Sequence, residues 1–489
     1  MLAKRHEMET REQSISTRAR NCIAKIFRSL APLLLIASLL ILYSRPSTKS
    51  EANKAPASNA VFDEPLALVL AQQTGDSRTD KEISRLQHQI RSGRNIQVWL
   101  EQLGWTFVAK ARESFDPGFY KLAEQCALSI EKRSPQSQEA MLLRAHVLQN
   151  LHRFKESETL ARRLVQQRGL SFDYALLGDA LMEQGRLSEA VEAYQRMMNL
   201  KPDLRAYARA AHMRWLKGDL EGAIEAMQLA VSAATPGDAE SGAWVNTRIA
   251  FYEFQAGRVN EAGQRCAVAL SLQGNYPPTL LLQGRILLSQ RRFDEAVNVL
   301  QSAVKLNPLP EYQWTLAEAL RAAGRENEAH DVEARLYQRG ATCDPRTLAL
   351  YLATRHESPE TALRLARAEL DSRSDVFTHD ALAWALASEG KVIEAHCEMQ
   401  RAMAEGTKDA RLFFHAGIIA SQAGHPVDAE RWLLKARELS HLLLPSERNE
   451  LQNVAARGAE KKASAALNLP KTFSPRPDTA RKTQHQTKT

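Results

Sequence analysis

A small residue returns every 33 or 34 positions along most of this chain, and that period limits the fold more than any other feature. The series runs Ala123, Ser157, Ala190, Ala223, Ala262, Ala296, Ala329, Ala362, Ala395 and Ala429, with one longer step of 39 between Ala223 and Ala262. A single globular core has no use for the same residue at equal intervals, whereas a stack of like supersecondary units requires it. Five residues ahead of each lies a turn position, held by Gly118, Gly185, Gly218, Gly257, Gly324, Gly390 and Gly424, and by His152, Arg291 and Glu357 in the other units. Twelve residues ahead lies a second close-contact site: Ala111, Ala145, Gly178, Ala211, Ala250, Gly284, Ala317, Leu350, Ala383 and Gly417, small in every unit but the one with Leu350. Leu176–Pro202 shows the unit whole. Apolar residues recur at helical spacing in two blocks, Gly185 ends the first helix, Ala190 fits a methyl against it, and a proline closes the unit.

The chain is therefore expected to be all-α: a solenoid of ten helical hairpins over 104–443, with a lead-in helix at 80–103 and a charged helix at 444–463 capping the last apolar face. The residues added in the longer step fall in Ala234–Gly242, a turn-rich stretch expected as a surface loop between the fourth and fifth units. Composition agrees, with 44% hydrophobic and 25% charged residues but only 6% aromatics. The formal charge of +8 sits at the ends, +4 over residues 1–44 and +6 over 457–489, while 45–456 carries 50 positive and 52 negative side chains. A near-neutral body lacks the electrostatic footprint of a nucleic-acid binder, so no nucleic-acid partner is expected.

Ser29–Ser44 is a run of 16 uncharged residues between Arg28 and Arg45, about 24 Å long as a helix and about 34 Å if it begins at Cys22. It reads as a membrane anchor or an uncleaved signal. Residues 1–28 are then a basic cytoplasmic segment and everything after 45 is exported. The expectation is a single-pass bacterial inner-membrane protein with periplasmic repeats, contacting the membrane through this helix, or a soluble periplasmic protein if the segment is cleaved. Residues 45–79 are read as a flexible tether and 464–489 as a disordered basic tail.

No catalytic chemistry is written in the sequence. GxSxG, P-loop, GxGxxG, HExxH and EF-hand patterns do not occur, and Cys22, Cys126, Cys266, Cys343 and Cys397 are widely spaced without a CxxC. No enzyme activity, cofactor or metal is expected.

The three-site pattern resembles the tetratricopeptide repeat family, whose unit is a 34-residue helix-turn-helix, although terminal prolines are limited to Pro135, Pro202 and Pro308. The resemblance implies a right-handed solenoid with first helices lining a concave, partner-binding face. The phrases DLEGAIEAMQLAV, LPEYQWTLAEALRAAGR and HDALAWALA further resemble a bacterial group of exported or membrane-anchored members without settled activity. Projection from the second close-contact site turns Arg112, His146, Asp179, His212, Phe251, Arg285, Glu318, Tyr351, Trp384 and Ile418 inward, with Trp215, Trp244, Phe254, Trp314 and Arg321 one turn away. The Lys and Asn of a chaperone-type carboxylate clamp are missing. Of these, Trp215, Trp244, Phe251, Phe254, Arg285, Trp314, Glu318, Arg321, Tyr351 and Trp384 are the candidate partner-binding residues, since Trp, Tyr and Arg dominate interface hot spots. The expected function is a scaffold holding an extended peptide or loop of an envelope protein on units four to nine. An accessory subunit of an envelope enzyme or assembly machine is the alternative, and packing of the rings between helices, a glycan-binding module or an enzyme with an unrecognised site are further ones. The oligomeric state is open.

Overall fold

Every close-contact residue of the series is buried, from 0% exposure at Ala123 and Ser157 to 5% at Ala429. The computed structural model describes residues 64–235 and 237–467, with side chains through 457. Two short helices lead in, α1 (Glu64–Val69) and α2 (Arg78–Arg91). Ten hairpins follow: α3 (Ile96–Ser114) with α4 (Gly118–Arg133), α5 (Gln138–Asn150) with α6 (Phe154–Gln167), α7 (Ser171–Glu183) with α8 (Leu187–Leu200), α9 (Leu204–Leu216) with α10 (Leu220–Ser232), and α11 (Ala239–Gln255) with α12 (Val259–Leu272). The second five are α13 (Pro277–Ser289) with α14 (Phe293–Leu306), α15 (Pro310–Ala322) with α16 (Glu326–Cys343), α17 (Pro345–Arg355) with α18 (Pro359–Ser372), α19 (Val376–Ser388) with α20 (Val392–Met403), and α21 (Ala410–Gln422) with α22 (Pro426–Glu438). A 3₁₀ turn, Ser440–Leu442, leads into α23 (Pro445–Leu467). Aspartates cap many first helices, with Asp203, Asp238, Asp344, Asp375 and Asp409 each accepting a backbone N–H of the opening turn.

The hairpins close on the small sites. A Cβ added to Gly178 would come within 2.3 Å of the Tyr194 ring, one at Gly284 within 2.5 Å of Leu300, and one at Gly417 within 2.6 Å of Leu433. These neighbours lie sixteen residues on, and the same offset explains the exception, because Leu350 is answered there by the small, buried Ala366. At Ser157 the hydroxyl is satisfied by donating to the Ala145 carbonyl at 2.8 Å.

Several expectations need correcting. The first unit opens at Ile96, not 104, and the end of the expected tether is folded: Leu66 and Val69 of α1 are buried and Gln87 donates to the carbonyls of Val69 and Ala71. Gly118 is already helical, and the left-handed residue of that turn is Phe115; in the eighth unit His356, not Glu357, takes that conformation. The 234–242 insertion is only partly loop, because from Ala239 it adds a turn to α11. The described cysteines are free, Cys126 and Cys266 buried and Cys343 and Cys397 exposed.

The membrane expectation is also corrected. Among the described residues no helix is long and apolar enough to cross a membrane. The helices of 18 or more residues, α3, α16 and α23, each carry four or more charged side chains. The run 29–44 lies outside the described residues, as do residues 1–28 and 468–489. Neither a membrane partner, nor an inner-membrane or periplasmic location, is carried into the reading of function.

The solenoid winds until its turns touch. The Ser374 amide, between units eight and nine, donates to the Glu183 carbonyl of unit three at 2.9 Å. One unit further along both strands of this contact, the buried Thr407 hydroxyl donates to the Leu216 carbonyl and Lys217 pairs with Glu405 at 2.8 Å. Beyond that, the His441 ring meets the Phe254 carbonyl through Nε2 at 2.8 Å. Gly185 is needed here twice over: its φ is +73°, and a Cβ would lie 2.2 Å from the Ser374 carbonyl oxygen.

Candidate functional site

First helices of most neighbouring units pack on one another, and each second helix packs on the next first helix, so the first helices form the inner face. That face has two characters. Over units six to ten it is covered by the chain's own carboxyl-terminal segment. Arg285 donates to the Leu442 carbonyl at 3.1 Å, the Ser446 hydroxyl and amide donate to the Glu318 carboxylate at 2.7 and 2.9 Å, and Arg411 grips Glu447 at 2.6 Å while lying 4.8 Å over the Trp314 ring. Thus α23 is not an end cap; it turns back over the inner face. Between α23 and α19, α21 and α22 remains a cleft of about 900 Å³ that includes Trp384, Phe414, Ile418 and Val454.

This arrangement places most of the candidate partner-binding residues in packing. Trp215, Phe254, Trp314, Tyr351, Trp384 and Glu318 are buried, at 7% exposure or less. Trp215 stacks on Phe377 of unit nine at 5.5 Å, and Trp384 lies parallel to the buried His415 ring at 4.0 Å. Arg321 is held by Glu333 and Glu326. In a tightly wound solenoid these residues lie against the next helix or the next turn. Trp244 alone of the candidate rings is exposed, at 37%, and Phe251 is half-buried.

Over units one to five the inner face carries a ladder of rings and cations. Trp105, His146 and Phe172, from three successive first helices, have centroids 5.4, 5.9 and 6.4 Å apart, and the Arg205 guanidinium lies 5.6 Å over Phe172. A second group follows, with Arg248 3.2 Å from His212 Nδ1, 5.2 Å over Phe251 and 5.3 Å over Tyr252. Burial pushes the His146 pKa down to about 4 and that of His212 to about 3, with neighbouring arginines adding to both shifts, so both imidazoles are neutral at pH 7. Arg209 is matched by Asp179 at 2.6 Å and Arg112 by Glu240 at 2.9 Å. Among the described residues, no carboxylate lies within ion-pair distance of Arg205 or Arg248.

Projection from the small sites missed Trp105, Phe172, Arg205 and Arg248. A signal existed: Trp105, Phe172, Arg205, Trp244, Phe377 and Arg411 each stand six residues ahead of the second close-contact residue.

Residues 142–202, 175–239 and 281–342 match the sequence profile of the tetratricopeptide repeat. The chain carries tetratricopeptide repeats. No curated protein matches it. Among solved structures, MamA is 17% identical with a TM-score of 0.28, covering 35% of this chain and 91% of its own. A human IFIT1 dimer with PPP-AAAA is 13% identical at 0.44, over 78% and 95%, and yeast Tom70 is 13% identical at 0.35, over 80% and 95%. Likeness at these levels carries no argument about ligands. Among the described residues no group of three or more His, Cys, Asp or Glu side chains could hold a metal ion.

Proposed function

We propose that this tetratricopeptide scaffold holds an extended peptide or loop of a partner protein on the inner face of units one to five. The observation that carries the reading is that this half of the face keeps Trp244 exposed and Trp105, Phe172 and Phe251 half-buried, the carboxyl-terminal segment meeting it at Phe254 through His441. Such rings give large, rigid contact area at low entropic cost. The likeness of three phrases to a bacterial group of tetratricopeptide proteins adds no partner chemistry, so the ligand is argued from the surface alone.

The test places a photo-crosslinking residue at Trp244, and in a second protein at Ile393 of α20, which is 82% exposed on a second helix. One protein trapped from native cells at 244 and absent at 393 is expected. Equal trapping at both positions, or none at 244, overturns the reading.

A further inference from the structure

The carboxyl-terminal segment shows what chemistry this inner face accepts, because it is a ligand that the chain supplies to itself. Its anchor is the Glu447 carboxylate on Arg411, with that guanidinium 4.8 Å over the Trp314 ring and the Leu444 amide donating to the second carboxylate oxygen at 2.9 Å. Its main chain is read by Arg285 through the Leu442 carbonyl. The recognition unit is therefore an arginine laid on an aromatic ring and meeting a carboxylate on an extended approach to a helix.

The open half repeats the receiving side of that unit without the carboxylate. Arg205 holds the same register position in α9 as Arg411 holds in α21, six residues ahead of the close-contact residue, and it too lies over a ring, that of Phe172. Arg248, one helix on, lies over Phe251 and Tyr252. Neighbouring carboxylates are otherwise engaged: Asp179 takes Arg209 and the Tyr194 hydroxyl, Glu240 takes Arg112, and Asp238 caps α11 and accepts from Ser241. Trp244, in the same row one unit beyond Arg205, is the exposed apolar neighbour.

We infer that Arg205 and Arg248 receive the carboxylates of an acidic peptide segment of a partner protein, in the manner in which Arg411 receives Glu447. This rests on the reading of the open half as the binding face and adds the ligand's chemistry. Arg248 gives one terminal nitrogen to the Tyr252 hydroxyl and the His212 ring and keeps its other N–H groups, so with Arg205 on the preceding first helix it favours a peptide with separated acidic side chains and an apolar residue between them for Trp244.

The experiment uses the full chain and fluorescein-labelled peptides in anisotropy titrations: one alternating Glu with Leu, its Gln counterpart, and a labelled oligoadenylate. The Glu peptide is expected to bind, with the Gln peptide and the proteins carrying Arg205→Gln or Arg248→Gln each about tenfold weaker, the equivalent of one charge-assisted hydrogen bond. Arg205→Gln should melt at the parent temperature, since Arg205 is exposed, and Arg248→Gln below it, since it loses the Tyr252 hydroxyl and both ring contacts. Should Arg248→Gln unfold the chain, Arg205→Gln alone decides. Equal binding of the Glu and Gln peptides, lost together in Trp244→Ala, overturns the acidic inference while leaving the face intact. Binding of the oligoadenylate in preference to the Glu peptide, undiminished binding by both arginine variants, or no peptide binding at all overturns it as well.

Discussion

The two halves of the inner face are built by the same repeat, yet one is engaged by the chain's own carboxyl-terminal segment, with a cleft of about 900 Å³ left beside it, and the other keeps an exposed ring and two arginines without carboxylate partners. Over units six to ten, Arg285, Glu318 and Arg411 spend their hydrogen bonds on residues 442–447 of the same chain. Over units one to five, the corresponding rings and cations stack on one another along the face and stop short of any carboxylate at Arg205 and Arg248. A repeat therefore fixes where side chains point, while a distant segment decides which of them stay available.

The strongest way to break that contrast is at Glu447, which is 0% exposed as a side chain. Glu447→Ala should cost about 3 kcal/mol, because it leaves the Arg411 guanidinium half-buried without its partner. Arg205→Ala, where no such partner is present, should stay within about 0.5 kcal/mol. Urea unfolding of the two proteins checks this, and similar losses would mean that the two arginines are not in different states.

A second contrast tests the touching of the turns. Gly185 and Gly390 have nearly the same φ, +73° and +77°, but nothing lies within 4 Å of a Cβ at Gly390, whereas at Gly185 the Ser374 carbonyl is in the way. Each Ala variant bears the left-handed penalty of roughly 1–2 kcal/mol. Gly185→Ala should lose more, and should raise amide exchange at Ser374, 189 residues away. Identical melting temperatures for the pair would remove the turn-to-turn contact from the structure's stability.

How much of this was legible beforehand follows from range. The hairpins were legible because each close contact, such as Gly178 on Tyr194, lies within one unit and is repeated in every other. The inner face was legible only as a direction. Whether Glu318 meets a ligand or Ser446 depends on a chain reversal after residue 439, and whether Trp215 meets a ligand or Phe377 depends on small unit-to-unit rotations summed over five units. Neither is written in any 34-residue window. The fold of α1 escaped for another reason: six residues bounded by polar sequence have no period to read, and they are held by packing of Leu66 and Val69 on α4 and by Gln87 and Arg91 donating to carbonyls at the helix end.

Acid should separate the halves by pH window. For His146 and His212 the folded values of about 4 and about 3 lie below the ordinary 6.5 of the unfolded chain, so the unfolded state takes up these protons first. Their stabilisation is complete above about 6.5 and is lost as pH falls toward 4. Glu447 differs: burial alone would raise its pKa, but Arg411 and the Leu444 amide outweigh burial and hold it below the ordinary 4.5. Its contribution is present above 4.5 and is lost only as pH falls through the lower, folded value. Melting temperature against pH should therefore drop in two steps, the upper one flattened by His146→Gln and His212→Gln and the lower one by Glu447→Gln. The upper step should shrink and not vanish, because burial lowers His152 to about 4 and lowers His441 as well; an upper step unchanged by both substitutions would contradict the buried, neutral imidazoles of His146 and His212.

The smallest effect is expected at Arg112, whose pair with Glu240 also spans units, from one to five, at 2.9 Å. Both side chains are about half exposed, at 53% and 47%, so water screens the attraction and the entropy of fixing two long side chains offsets most of what remains. Arg112→Ala should shift stability by no more than about 0.5 kcal/mol, with the shift vanishing in high salt. Its value lies in the comparison with Glu447, since that pair is two-pronged and buried whereas this one is a single, half-exposed contact. If Arg112→Ala proved as costly as Glu447→Ala in urea unfolding, at low and high salt alike, the open half would be closed in solution by this pair, and Trp244 would not be standing free beside it.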